Sequence, residues 1–211
     1  YLCNIIYFMV VSFLSIYISL LSLINPVGAI PVFISLTSKH DKAWIKTQLL
    51  KTALNVFFIC IISYLIGNSV LLFFGISIDA LKIAGGIIIS RSAFQLLNAK
   101  HKNDVGKKIQ KEAVLKEDIS FTPLAMPLLS GPGSISFLIN LSIKNKLSVL
   151  NVINTATCIL LVSITIFVIL YLAPMILSYL GRAGLKAMSK IMGFIVLAIG
   201  IQLIISGVIS V

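Results

Sequence analysis

The 211-residue chain reads as an all-α, polytopic membrane protein. Six transmembrane helices are expected, as two inverted repeats of three, with helices one and four broken near the midplane. Three observations lead there. Composition comes first: 59% of residues are hydrophobic, only 11% are charged, and the mean hydropathy is +1.10. A soluble domain is about 45–50% apolar and about 25% charged, so lipid must take up part of this apolar surface. Second, apolar runs such as 56–74 and 149–172 are unbroken. They suit helices of about 20 residues across a hydrocarbon layer of about 30 Å. Outer-membrane strands would alternate apolar and polar residues, whereas a helix satisfies its own backbone groups in lipid. Third, small and polar landmarks recur. Pro26 precedes Pro132 by 106 residues, and Gly86, Ala93 and Gln95 each precede Gly193, Gly200 and Gln202 by 107. With three spans per half, the second half must enter the membrane upside down.

The elements follow in order. Segment one covers about 4–36, too long for one perpendicular helix, and is interrupted by Asn25-Pro26-Val27-Gly28 and Pro31. Segment two covers about 49–74 and segment three about 79–98. Segment four, about 119–143, is interrupted by Pro123, Pro127 and Gly131-Pro132-Gly133. Segments five and six cover about 147–176 and 190–211. Residues 1–211 thus form one membrane domain: a first repeat over about 1–98, a polar loop over about 99–118, and a second repeat over about 119–211. The first apolar run lacks a basic start and is far longer than the 7–15 apolar residues of a signal peptide. The chain starts at Tyr1 without Met, so residues are expected to precede it.

The net charge of +11 does not point to nucleic acid, because the basic residues lie in short loops between apolar runs. Loops over about 37–51, 99–118 and 178–190 carry thirteen Lys and Arg, against Lys82, Lys144 and Lys146 on the other side. The positive-inside rule puts those three loops in the cytoplasm and both termini outside. Cys3, Cys60 and Cys158 are odd in number, form no CxxC and sit in or beside apolar runs. A disulfide framework or metal site is not expected. Packing suits Cys60 and Cys158, which are expected away from the helix breaks and lack activating neighbours. There is no phosphate-binding loop of the GxxxxGK[ST] type and no set of catalytic residues, so neither an enzyme nor a cofactor is expected.

The two breaks carry the functional expectation. Proline inside a helix removes one hydrogen bond and displaces the carbonyl four residues earlier. Backbone groups freed at membrane depth persist only inside protein or beside a wet cavity. Breaks in corresponding positions of two halves mark a midplane binding site. The candidate ligand-binding residues are Asn25, Pro26 and Gly28 in one break, and Ser130, Gly131, Pro132, Gly133 and Ser134 in the other. Restarting helices offer N–H groups and a positive dipole end to a carboxylate. Unwound carbonyls suit an ammonium group or a cation. Ordinary proline kinks are the plainer alternative. Gly193, Gly200 and Gly207, and likewise Gly86 and Ala93, form stripes for close helix packing, or a smooth surface on which one repeat moves against the other. Gln95 and Gln202 suit interhelical hydrogen bonds or secondary polar contacts. Arg91 is the one charge well inside a span, either functional or snorkelling to the interface.

Asn25-Pro26-Val27-Gly28-Ala29-Ile30-Pro31 resembles the NPxGxxP-like signature of the MarC family of bacterial inner-membrane proteins. The run from Ala125 to Ile135, AMPLLSGPGSI, is similar to that family's fourth-helix motif. Phe74-Gly75-Ile76-Ser77-Ile78 with Ile83-Ala84-Gly85-Gly86, and Ser189-Lys190-Ile191-Met192-Gly193 with Gly200-Ile201-Gln202, are similar to its third and sixth helices. The resemblance covers essentially the whole chain. It implies a six-span protein of the bacterial plasma membrane, related to transporters of small neutral amino acids such as glycine and alanine. Arg91 departs from the apolar residue expected there. The competing functional readings are a channel-like passive exporter, a non-transporting membrane scaffold and, more remotely, a thiol–disulfide carrier.

Overall fold

The computed structural model describes residues 2–37, 40–97, 118–144 and 148–209, with side chains from residue 11 onward except 35, 95, 96, 123, 127, 182 and 185. All regular structure among them is helical. The helices are α1 (Leu2–Ile24), α2 (Pro26–Thr37), α3 (Lys42–Phe73), α4 (Ile78–Leu97), α5 (Ser120–Leu129), α6 (Pro132–Lys144), α7 (Val149–Tyr171) and α8 (Ala173–Ile209). Four stretches are long and apolar enough to cross a membrane: Val11–Ile34, Lys42–Phe73, Val149–Tyr171 and Lys186–Ile209. The first runs across a helix break at Asn25. The 20 residues of α4 reach about 30 Å at about 1.5 Å per residue.

Local chemistry sets the boundaries. The Asp41 carboxylate accepts the Trp44 N–H at 3.3 Å and starts α3. Ser148, 107 residues later, accepts the Asn151 N–H at 3.3 Å and starts α7. Such caps satisfy donors that a first helical turn leaves without partners. Gly75 after α3 has φ +65° and Gly181 has φ +63°, and the two are 106 residues apart. Glycine enters this region without the strain a side chain would bring.

Two sequence expectations are corrected. The stretch 178–190 is not a loop: α8 runs through it, interrupted at Gly181 alone. Arg182, Lys186 and Lys190 read as a loop signal, yet a spacing of four places them on one helix face. Ala183, Leu185, Ala187 and Met188 around them favour helix. Similarly, the expected loop over 37–51 is short, because α3 already begins at Lys42. Helices α7 and α8 meet at Leu172, where the ladder resumes with Ile176 N–H donating to the Leu172 carbonyl at 2.9 Å. Pro174 has no N–H to donate, so 149–180 forms one kinked rod. The final helical piece starts after Gly181.

Side-chain contacts give the helix directions. Gln48 and Thr52 meet Ile119 and Ser120, Cys60 meets Ser130, and a Cβ on Gly67 would strike Ile139, so α3 runs parallel to α5 and α6. Cys158 reaches Phe13 and Thr165 reaches Tyr17, so α7 runs parallel to α1. Helix α4 runs antiparallel to α6 through Gly85–Ser136 and Ile89–Gly133, and antiparallel to α8 through Gly86–Gly200 and Ile83–Gly207. The main core joins Leu20, Ile24, Ile30 and Phe33 of the first broken segment to Leu124, Leu129 and Leu138 of the second, with Tyr64 and Ile159 from α3 and α7. A smaller core of Ile89, Ala93, Val196 and Leu203 lies between α4 and α8. Phe58, Phe73 and Phe194 are 54%, 85% and 68% exposed, as expected of side chains that meet lipid.

Candidate functional site

Both broken segments contribute side chains to the main core. At the first, α1 ends as Asn25 N–H donates to the Leu21 carbonyl at 2.9 Å. Asn25 then takes φ +47°, a left-handed conformation that Asn tolerates better than most residues. Its Oδ1 accepts the Gly28 N–H at 3.1 Å, capping α2, with Pro26 at the first helical position. Proline suits that position because its missing N–H would have had no helical partner. Gly28 is small for a reason: a Cβ there would run into the Asn25 amide. Asn25, Pro26 and Gly28 are all buried. Pro31 sits inside α2.

The second break is built differently. Thr122 (φ −120°, ψ 117°) and Met126 (φ −131°, ψ 126°) are extended within α5. Each precedes a proline, whose ring disfavours helical geometry in the residue before it. The surviving hydrogen bonds span five residues: Leu124 N–H to the Ile119 carbonyl at 3.2 Å, and Ser130 N–H to the Ala125 carbonyl at 2.7 Å. Such wide turns frequently occur at functional sites. After Ser130, α6 restarts with Gly131 before Pro132. Ile135 N–H donates to the Gly131 carbonyl at 3.3 Å, and Ser134 Oγ donates to it at 2.9 Å. Ser130 and Ser134 are buried, while Gly131 and Gly133 are partly exposed and Pro132 is exposed.

Cys60 corrects an expectation. Its thiol lies beside the second break, with Sγ 4.0 Å from Ser130 Oγ. Helical spacing on α3 alone gave no register against α5 and α6. The Cys158 thiol reaches the Phe13 carbonyl at 3.6 Å instead. Both cysteines are free and buried.

A polar network ties the start of α5 to α3. Gln48 Oε1 accepts the Ile119 N–H at 3.2 Å. Thr52 Oγ1 donates to the Gln48 carbonyl at 2.7 Å and the Ser120 carbonyl at 3.3 Å. Asp118 accepts from the Ser120 N–H and Oγ at 2.9 and 2.6 Å, and pairs with Lys51 at 2.9 Å. The Ser120 hydroxyl, then Lys51, hold the Asp118 carboxyl down at about 2. A groove of about 560 Å³ opens here, lined by Lys51, Asn55, Asp118 and Ser120 among others. None of these residues was given a site role from the sequence, where Lys51 and Asp118 read as loop residues and Thr52, Asn55 and Ser120 as ordinary members of segments two and four.

The other candidates lie elsewhere. A Cβ on Gly86 would come within 2.6 Å of the Gly200 carbonyl, and one on Gly207 within 3.0 Å of the Asp79 carbonyl. The glycine stripes therefore pack α4 on α8, and Gly193 is buried on the same helix. Gln202 and Arg91 are exposed. The Gln95 side chain lies outside the described residues. Among the described residues, no three His, Cys, Asp or Glu side chains come together as a metal would need.

Apolar helices long enough to cross a bilayer, with polar groups held inside at helix breaks, define an integral membrane protein. The chain belongs to the MarC family of integral membrane proteins, whose family model matches residues 10–211. It is 36% identical over 193 residues to the UPF0056 membrane protein YhcE of Escherichia coli (strain K12), covering 91% of this chain and 89% of that protein. It is also 36% identical to UPF0056 membrane proteins of Aquifex aeolicus (93% of this chain, 92% of the relative) and Pyrococcus horikoshii (93% and 94%). No solved structure matches the chain.

Proposed function

We propose that the protein is a secondary transporter of small neutral amino acids or similar metabolites in the bacterial plasma membrane, a carrier rather than an enzyme. The observation that carries this reading is the pair of helix restarts inside apolar segments, one buried at Asn25-Pro26 and one at Gly131-Pro132, which is itself partly exposed but flanked by buried Ser130 and Ser134. Restarting helices at membrane depth are the means by which transporters hold ions and polar substrates. The carboxylate of an amino acid would meet the N–H groups of a restart, and its ammonium the unwound carbonyls of α5.

We further infer six spans in two inverted sets of three: α1–α2, α3 and α4, then α5–α6, α7 with the start of α8, and the rest of α8. Helix starts, breaks and glycine turns recurring at offsets of 106 and 107 support this arrangement. So do the helix directions, since α3 runs parallel to α6 and α7 to α1. The basic loops favour both termini outside.

Uptake of labelled glycine, alanine and threonine into proteoliposomes tests the transport reading. Saturable uptake above empty liposomes is expected under an ion gradient. No uptake under any ion gradient would sink this substrate class, and flux that never saturates would favour a channel.

A further inference from the structure

The two helix restarts are not equivalent, and the difference separates a structural cap from a binding end. At α2 the first-turn donor is already used, because Asn25 Oδ1 accepts the Gly28 N–H at 3.1 Å. At α6 the capping position is Gly131, which has no side chain. The Ser134 hydroxyl donates backwards to the Gly131 carbonyl, and among the described residues no first-turn N–H donates to it. No side chain among the described residues accepts from the N–H groups of Gly133 or Ser134. An N-terminus left in this state attracts an anion.

A second observation falls on the same place. Tyr64 is fully buried, yet its hydroxyl finds no hydrogen-bond partner among the described residues. Burying an unpaired hydroxyl costs free energy, and unpaired groups of this kind frequently mark function. On α3, Cys60 lies one turn before Tyr64 and meets Ser130, while Gly67 lies one turn after and meets Ile139. Because the helices run parallel, Tyr64 stands opposite the first turns of α6. Side chains on a helix lean toward its N-terminus, which carries the Tyr64 phenol toward Cys60 and hence toward Ser130 and Gly131.

We propose that the Tyr64 hydroxyl and the N–H groups of Gly133 and Ser134 form a binding site for a carboxylate, and that Asn25 is a cap and not a ligand. This rests on the transport reading and names the half of the site that recognises the acid group.

Thermal unfolding of the purified chain and of Tyr64→Phe, with glycine, propionate or ethylamine added, tests the proposal, alongside uptake in proteoliposomes. Glycine and propionate are expected to raise the wild-type Tm, and ethylamine not. Tyr64→Phe is expected to lose that shift and raise the KM for uptake roughly tenfold or more, the scale of a hydrogen bond to a charged group. Its ligand-free Tm stays level or rises, since phenylalanine leaves no unpaired hydroxyl. Equal carboxylate shifts in both proteins, or no shift in the wild type, would overturn the site. A carboxylate shift that Tyr64→Phe abolishes, without uptake by the wild type, would keep the site and overturn transport.

Discussion

Asn25 holds φ +47° while its amide caps α2. An ordinary L residue in the left-handed region costs about 1–2 kcal/mol, and losing a cap to alanine costs about 0.5–2 kcal/mol. Asn25→Ala should therefore destabilise the protein by about 1.5–4 kcal/mol. Asn25→Gly should cost only a few tenths, because glycine accepts the conformation and is a tolerable cap. Thermal unfolding in detergent reads the difference, and an Ala variant no worse than the Gly variant would contradict both causes. The break at Asn25-Pro26 was legible in the sequence because proline inside an apolar run is a local signal, though the capping role of Asn25 was not. Nor was Tyr64. It is one of six tyrosines in the chain, and its hydroxyl is singled out only by what packs around it.

Among elements, α4 and α8 show what a glycine stripe does. The Gly86 and Gly200 backbones approach so closely that a Cβ on either would meet the other's carbonyl at 2.6 or 2.9 Å. Gly86→Val is expected to destabilise the pair by roughly 1–3 kcal/mol, the usual cost of overpacking. The exposed neighbour Ile87 serves as the control, and Ile87→Val should leave the Tm nearly unchanged. Equal effects at the two positions would mean that the helices have room to separate. The stripe was readable as packing from its spacing of seven, though its partner was not. Proline positions located the break in α5, since the residue before each proline is pushed extended. The five-residue hydrogen bonds close around those extended residues, in a segment that α3 holds at its start through Gln48 and Thr52.

For the whole molecule, the important fact is where the contacts run. Among the described residues, the extensive helix pairings join residues 2–97 to residues 118–209, except α7 with α8. The halves are interleaved, so motion of one as a rigid body would have to break most of the core. The proposed orientation is testable on the same scale. Alkaline phosphatase fused after residue 211 should be active, and the same reporter inserted within 99–118 should be inactive. The opposite pattern would reject termini outside and basic loops inside.

The sequence by itself determined that the chain is helical and lives in a membrane, and that two of its segments break. Those properties are local: hydropathy over about 20 residues, caps, glycine turns and proline sterics act through near neighbours along the chain. Only the tertiary structure decided how the breaks differ. It brought Cys60 beside Ser130 at the second restart and gave the start of α5 its caps from Gln48 and Asp118. These outcomes depend on register between helices far apart in sequence, which side-chain packing sets and no local pattern encodes.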